Sequence, residues 1–273
     1  MKTSKTTPFL LGSVFTLMIG ATSPLQAAFN YQVSGVQTQI AGTTTDIPVG
    51  SSGSSSNFGS VGTGASAVFD MVAVNDTTGA TTDFADLRVT YTSDSGGVGT
   101  NIMIARTTNS QGLTDDGTIS VLVNIANSGG SVGLTFDWYT PDSFVGGVEQ
   151  GSASLLSTRV NYTTFDIDFN QLVQVQTSEI TGYTLDGSTA LVATNDGTTI
   201  SFEDNGAQSN FDEPTTAVQF LTNNATASHN IEMGKQNSSG NALFMFEFRD
   251  PSDVIIFDNP DTTPVPEPSS FGL

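Results

Sequence analysis

Short runs in which hydrophobic and polar residues alternate recur along most of the chain. In the first run, Phe29, Tyr31 and Val33 are separated by polar residues. A period of two places successive side chains on opposite faces of an extended chain, so each run predicts a strand with one buried face. Further strands are predicted over residues 68–74, 87–91, 102–105, 119–125, 132–139, 155–168, 172–175, 189–193, 199–202, 217–221, 229–233, 243–248 and 254–257.

Turn-forming residues separate these runs, and no part of the mature chain shows the 3.6-residue period of an amphipathic helix. Asp186-Gly187-Ser188 and Asn195-Asp196-Gly197-Thr198 predict tight hairpin turns, in which glycine adopts the positive φ that the turn requires. Residues 41–65 are rich in Gly, Ser and Thr. This composition predicts a flexible loop that buries little apolar surface.

Many short strands without helices between them predict an all-β fold, an antiparallel β-sandwich of jelly-roll type. A β-solenoid is the alternative, but the chain lacks a fixed short repeat. The length of 273 residues is sufficient for one large β-domain. We therefore expect a single sandwich over residues 28–258, followed over residues 259–273 by a polar linker and the start of a distinct C-terminal segment.

The first 27 residues have the features of a secretory signal peptide. Lys2 and Lys5 provide a positive start, residues 8–21 form an apolar segment, and Leu25-Gln26-Ala27 precedes a predicted cleavage before Ala28. The apolar segment is short for a transmembrane helix, and Ser23-Pro24 directly after it disfavours a continued helix. We therefore expect the protein to be exported and the leader to be removed.

The charge of the chain is strongly negative, with 27 acidic against 7 basic residues and a formal net charge of −20. Such a surface repels phosphate backbones and anionic lipid headgroups, so nucleic acid is not an expected partner. The chain contains no cysteine, which excludes disulfides, thiolate metal sites and cysteine nucleophiles. Divalent cations and neutral glycans remain as plausible ligands.

The C-terminal residues Val265-Pro266-Glu267-Pro268 follow a polar spacer and precede Ser-Ser-Phe-Gly-Leu. This segment resembles the start of a PEP-CTERM sorting signal. In proteins with that signal, the Pro-Glu-Pro motif precedes a membrane helix and a basic cluster, and an exosortase processes the tail. The resemblance implies export, sorting to the bacterial cell surface or matrix by exosortase-type machinery, association with extracellular polysaccharide, and membrane contact only through a segment after Leu273.

One acidic cluster suggests a metal site. Asp outnumbers Glu by 20 to 7, and many Asp residues occur in predicted turns, where oxygen ligands for calcium can converge. If Asp166-Ile167-Asp168-Phe169-Asn170 forms a strand, its period of two places Asp166, Asp168 and Asn170 on one face. These three residues are the calcium candidates, and a solvated outer face above an apolar core is the alternative. The chain has no EF-hand loop.

No residue pattern identifies a reaction. The one histidine, His229, has no accompanying Gly-x-Ser-x-Gly motif, so a Ser-His-Asp hydrolase is not indicated. The strand pattern of residues 160–258 resembles the jelly-roll domains of bacterial surface proteins and carbohydrate-binding modules, although Trp138 shares a predicted core face with Leu134 and Phe136. We predict a non-enzymatic surface or matrix protein; a carbohydrate-binding module, calcium-assisted or not, is the alternative, and a glycoside-active enzyme with two facing carboxylates is the third.

Overall fold

The computed structural model describes residues 29–37, 49–51, 59–75, 77–95, 101–106, 119–125, 129–157, 159–204, 214–223, 227–250 and 260–265. These residues form strands joined by turns, with two short 3-10 helices at Thr177–Glu179 and Pro214–Thr216. In this described part, no helix is long and apolar enough to cross a membrane. The strands are β1 Phe29–Val36, β2 Val49–Ser51, β3 Gly59–Ser60, β4 Ser66–Asn75, β5 Thr81–Ser95, β6 Asn101–Arg106, β7 Ile119–Ile125, β8 Gly130–Tyr139, β9 Phe144–Val145, β10 Val148–Glu149, β11 Asn161–Phe165, β12 Gln171–Gln176, β13 Ile180–Asp186, β14 Leu191–Asn195, β15 Thr199–Asp204, β16 Val218–Thr222, β17 Ser228–Lys235, β18 Gly240–Arg249 and β19 Pro260–Pro264.

The strand pairings define two sheets that pack face to face. The front sheet has the order β14-β15-β12-β17-β8-β5-β4-β1. The back sheet has the order β19-β13-β16-β11-β18-β7-β6, with β2 and β3 paired to β6. The start of β1 also pairs with β18, which connects the two sheets along one side. Apart from the parallel β2–β6 pair, all these pairings are antiparallel.

Eight of these strands have the connectivity of a jelly roll. The back-sheet order β7-β18-β11-β16 faces the front-sheet order β8-β17-β12-β15, so the strands of each consecutive pair (β7 and β8, β11 and β12, β15 and β16, β17 and β18) lie in opposite sheets. Two interleaved Greek keys produce this order. The prediction of an antiparallel, jelly-roll-like β-sandwich is therefore confirmed. Strands β13 and β14 extend one edge of the sandwich, and β1 to β6 extend the other.

Aromatic side chains from both sheets form the centre of the core. The Phe136 ring of the front sheet lies 5.1 Å from the Phe246 ring of the back sheet, and Trp138 lies 4.9 Å from Phe248. Further along the sandwich, Phe202 lies 5.4 Å from Phe220. Alternate strand residues point into this layer, as the period-two pattern predicts.

Several predicted boundaries differ from the structure in the second half. The predicted strand over residues 155–168 contains only β11, and Leu155 forms a single bridge with Tyr139. Strand β13 was not predicted. The Asn195–Thr198 hairpin is confirmed, with Gly197 at φ 92° between β14 and β15. Asp186-Gly187-Ser188 does form a turn, but it connects strands of opposite sheets and is not a hairpin.

Two segments predicted to lie outside the sandwich contribute to it. Within residues 41–65, β2 and β3 pair with β6, and Val61 and Ala65 are buried in the core. The linker predicted after residue 258 includes β19, which pairs along β13. The predicted strand at 254–257 lies outside the described residues.

Candidate functional site

The acidic segment after β11 does not form the predicted strand. Strand β11 ends at Phe165, and Asp166, Phe169 and Asn170 have φ values of 65°, 48° and 62°. The backbone amide of Gln171 donates to the carbonyl oxygen of Asp168 at 2.8 Å, which closes a turn. Left-handed residues interrupt the alternation of an extended chain. The expectation that Asp166, Asp168 and Asn170 share one strand face is therefore wrong.

The turn nevertheless brings two of the three predicted residues into the interior. Asp166 is 3% exposed and Asp168 is 2% exposed, whereas Asn170 is exposed to solvent. Gln171, which sequence reasoning missed, is 4% exposed, and its Nε2 donates to Asp168 Oδ1 at 3.2 Å. The sequence does contain an indication of this burial: Gln171 alternates with Val173 and Val175, which places it on the buried face of β12.

The electrostatics of this turn are dominated by buried carboxyl groups. Burial, with the neighbouring Asp168 carboxylate, raises the pKa of Asp166 to about 8, and Lys235 opposes this shift. Asp186 and Asp204 are also buried, each at the end of its strand. Among the described residues, no three His, Asp or Glu side chains are grouped so that they could hold a metal ion. Any cation here would also need amide or water ligands.

A second candidate site is a polar groove on the outer face of the front sheet, with a volume of about 180 Å³. It crosses strands β5, β8, β17 and β12. The side chain of Asn230 is fixed there, because it accepts from Thr135 Oγ1 at 2.7 Å and donates to Glu179 Oε1 at 2.6 Å. The polar side chains that line the groove are Thr92, Ser93, Gln174, Gln176, Asn230 and Glu232.

Gly133 allows the close approach of strands β5 and β8 beneath this groove. A Cβ at Gly133 would overlap Ser93 Oγ and lie 3.1 Å from Thr92 Oγ1. The register of β5 against β8 shifts between Tyr91 and Ser93, so an extra residue is accommodated there. A side chain at position 133 would displace these hydroxyl groups and change the groove.

Trp138 and the nearby tyrosines, whose rings could stack against a sugar, point elsewhere. Trp138 is 1% exposed and packs in the core, as its strand pattern predicts. Tyr139 and Tyr162 are buried, and Tyr183 packs against Phe202 at 4.8 Å. None of these rings lines the groove, so recognition there would depend on hydrogen bonds from amide, hydroxyl and carboxylate groups.

His229 lies on β17 inside the sandwich and is 1% exposed. Neither of its ring nitrogens has a hydrogen-bond partner among the described residues. Burial lowers its pKa to about 4, and Asp137 opposes this shift. The ring of Tyr162 lies 5.7 Å away. A neutral imidazole in this position is shielded from solvent and makes no hydrogen bond to a nucleophile among the described residues.

The residue that precedes the Pro-Glu-Pro motif is anchored to the fold. Val265 is 9% exposed, and its backbone amide donates to the carbonyl oxygen of Thr181 at 2.9 Å. Pro266, Glu267 and Pro268 lie outside the described residues. The last described strand, β19, therefore leads directly to the predicted sorting motif.

No protein-family model matches the chain, and no curated protein matches it. Among solved structures, the chain is similar to the N-terminal domain of the Streptococcus gordonii adhesin Sgo0707, with 9% sequence identity and a TM-score of 0.40. The match covers 67% of this chain and 52% of the adhesin chain, about half its length. A TM-score this low assigns no function to this chain.

Proposed function

We propose that this chain is an exported, non-enzymatic protein of the bacterial cell surface or extracellular matrix. The leader over residues 1–27 and the Pro266-Glu267-Pro268 motif support export and sorting. The observation that carries the proposal is the position of this motif next to Val265, which is fixed to the sandwich edge. A folded domain that ends at the sorting motif suits a protein displayed on a surface.

The sorting step can be tested in a host that carries an exosortase, using the complete gene. We expect protease added to intact cells to digest the protein, and we expect deletion of the exosortase to leave the tail unprocessed. Glu267→Ala should reproduce the effect of the exosortase deletion. Ser270→Ala, three residues further along the chain, should not. Recovery of the wild-type protein in the cytoplasmic fraction would contradict export.

The groove on the front sheet supports glycan binding as a second candidate function. Its lining of amides, hydroxyl groups and one carboxylate matches the hydrogen-bonding groups of a neutral sugar. Its volume is below the roughly 300–1,000 Å³ of sites for drug-sized ligands, which suits a single sugar unit of a polysaccharide. Glu232 is the one carboxylate among the described lining residues, and glycoside hydrolysis ordinarily uses two. We therefore propose binding without hydrolysis.

Gln176 is the best position at which to test the groove, because its side chain makes no hydrogen bond among the described residues. A glycan array should first identify a ligand. Replacement of Gln176 by alanine should then weaken binding by about 2- to 10-fold, the effect of losing one hydrogen bond. Titration calorimetry measures this change.

The matched control is Gln32→Ala, an identical change on the outer side of β1 in the same sheet but outside the groove. This variant should bind like the wild type. Equal losses in both variants would contradict the groove as the binding site, and the absence of binding to any glycan would contradict this second function.

A further inference from the structure

We propose that the turn between β11 and β12 binds one divalent cation of the calcium type through the carboxylates of Asp166 and Asp168 and the amide oxygen of Gln171. The site is distinct from the groove, because Gln171 faces the core whereas the groove lies on the outer face of the front sheet. The inference therefore does not depend on glycan binding.

The first observation is the environment of the Asp166 carboxylate. The residue is 3% exposed, and no hydrogen bond to its carboxylate is found within the described parts of the chain. Buried polar groups in proteins are almost always hydrogen-bonded, and buried carboxyl groups are paired, coordinate a metal or take up a proton. A second buried carboxylate, that of Asp168, repels it further. An oxygen-binding cation would satisfy the Asp166 carboxylate and offset this repulsion.

The second observation is the side chain of Gln171. The residue is only 4% exposed, and its Oε1 has no hydrogen-bond partner among the described residues. Since Nε2 of the same amide donates to Asp168 Oδ1, the amide group is held beside that carboxylate. The unpaired Oε1 is therefore available next to the Asp168 carboxylate. Amide and carboxylate oxygens are the ligands that calcium prefers.

The backbone holds these groups in place from both sides. The amide of Ile167, between the two aspartates, donates to the carbonyl oxygen of Thr216 at 3.1 Å. The amide of Gln236 donates to the carbonyl oxygen of Asn170 at 2.8 Å. The segment from Asp166 to Gln171 is therefore attached to two other parts of the sandwich. Little ordering would be needed when a cation binds.

Lys235 is the alternative counter-ion. It lies opposite Gln171 in the β12–β17 pair, and its charge acts on Asp166. However, the ion pairs of the described residues do not include one between Lys235 and Asp166. The ammonium group therefore attracts Asp166 from a distance and would compete with a bound cation. Its removal should strengthen cation binding.

The donor set favours calcium over transition metals. All three side chains provide oxygen, the chain has no cysteine, and its one histidine lies elsewhere in the core. Calcium accepts six to eight oxygen ligands in flexible geometry, so water would complete the shell. With few protein ligands, we expect a Kd of about 10⁻⁴–10⁻³ M, the range of extracellular calcium modules.

The first test is a calorimetric titration of the whole chain with calcium chloride. The second is the thermal unfolding of the chain in calcium and in EDTA. We expect one ion per chain. At about ten times the Kd, calcium should raise the Tm by about 3–6 °C. No binding up to about 10 mM calcium, well above the expected Kd, would overturn the proposal.

Three variants assign the site. Asp166→Asn and Asp168→Asn should each reduce calcium affinity at least about 10-fold. Asp166→Asn should also raise the Tm in EDTA at neutral pH, because the raised pKa of Asp166 makes folding costly at a pH where the unfolded carboxyl is ionised. Asp83→Asn, the same change at an exposed position on β5, should bind calcium like the wild type.

Lys235→Gln should tighten binding by about 2- to 5-fold, the effect of removing one partly exposed charge. If Asp168→Asn does not fold, Asp166→Asn decides alone, because the Asp166 carboxylate makes no described hydrogen bond. Wild-type affinity in Asp166→Asn, or weaker binding in Lys235→Gln, would overturn the proposal.

Discussion

Replacement of Phe246 by alanine is expected to reduce the free energy of unfolding by about 3–5 kcal/mol. Phe246 is fully buried on β18, opposite Ile119 of β7 and Thr164 of β11, and its ring lies 5.1 Å from Phe136 of the other sheet. Truncation removes apolar contacts with both sheets and leaves a cavity that close packing cannot refill. For a domain of this size, the Tm should fall by about 6–20 °C.

The control for this prediction is Phe169→Ala, the same truncation at a position that is 43% exposed in the β11–β12 turn. It should change the unfolding free energy by less than about 1 kcal/mol, because little apolar contact is lost. Chemical denaturation of both variants measures the difference. Equal losses would show that the two sheets do not meet at Phe246.

Replacement of His229 by phenylalanine is expected to stabilise the protein and to reduce its sensitivity to acid. In the folded protein the pKa of His229 is about 4, against an ordinary value of 6.5. Between these values the unfolded chain binds a proton that the folded protein excludes, so stability falls as the pH is lowered through this window. A shift of this size corresponds to a loss of about 3 kcal/mol on going from pH 7 to pH 4.

The variant removes this loss, because phenylalanine does not titrate. It also removes two buried nitrogens without described partners, which adds about 1–3 kcal/mol of stability at pH 7. Denaturation of the wild type and the variant at several pH values between 4 and 7 gives the difference directly. That difference should grow as the pH falls.

Tyr162→Phe is the matched control. It removes the Tyr162 hydroxyl group, which is also buried without a described partner next to His229. Burial raises the pKa of Tyr162 well above its ordinary value, so this group does not titrate below pH 7. Its effect on stability should therefore be the same at pH 4 and pH 7. A His229→Phe variant that loses stability in acid as steeply as the wild type would contradict the burial of a neutral imidazole.

The strands were predicted well where the pattern was local and clear. Residues 119–125 coincide with β7, and 132–139 lie within β8, because one face of each strand is apolar and the other polar. Strand β13 was missed because the face opposite its core-facing Tyr183 carries the polar residue Thr184, and Asp186-Gly187 at its end indicates a turn. Strand β19 was missed because Pro260 and Pro264 favour a linker, although proline is tolerated at the edge of a sheet.

The candidate cation site was predicted in part and for a wrong reason. The prediction assumed that the alternation of β11 continued through Asp166, whereas left-handed residues turn the chain back at this point. The prediction that Asp166 and Asp168 lie close together agrees with the structure. The turn brings them together, however, and not a shared strand face. Gln171 was overlooked because glutamine is usually found at the surface, and only the neighbouring strands show that its side chain is enclosed.

The sequence by itself determined the all-β class, the acidic surface, the absence of thiol chemistry and most strand positions, because these depend on composition and on a period of two along the chain. The tertiary structure decided which strands are neighbours, such as β17 between β8 and β12, and which polar side chains are buried, such as Gln171 and His229. The physical reason is that alternation specifies the face on which a side chain lies but not the strand beside it. Strand pairing and burial depend on contacts between residues far apart in the chain.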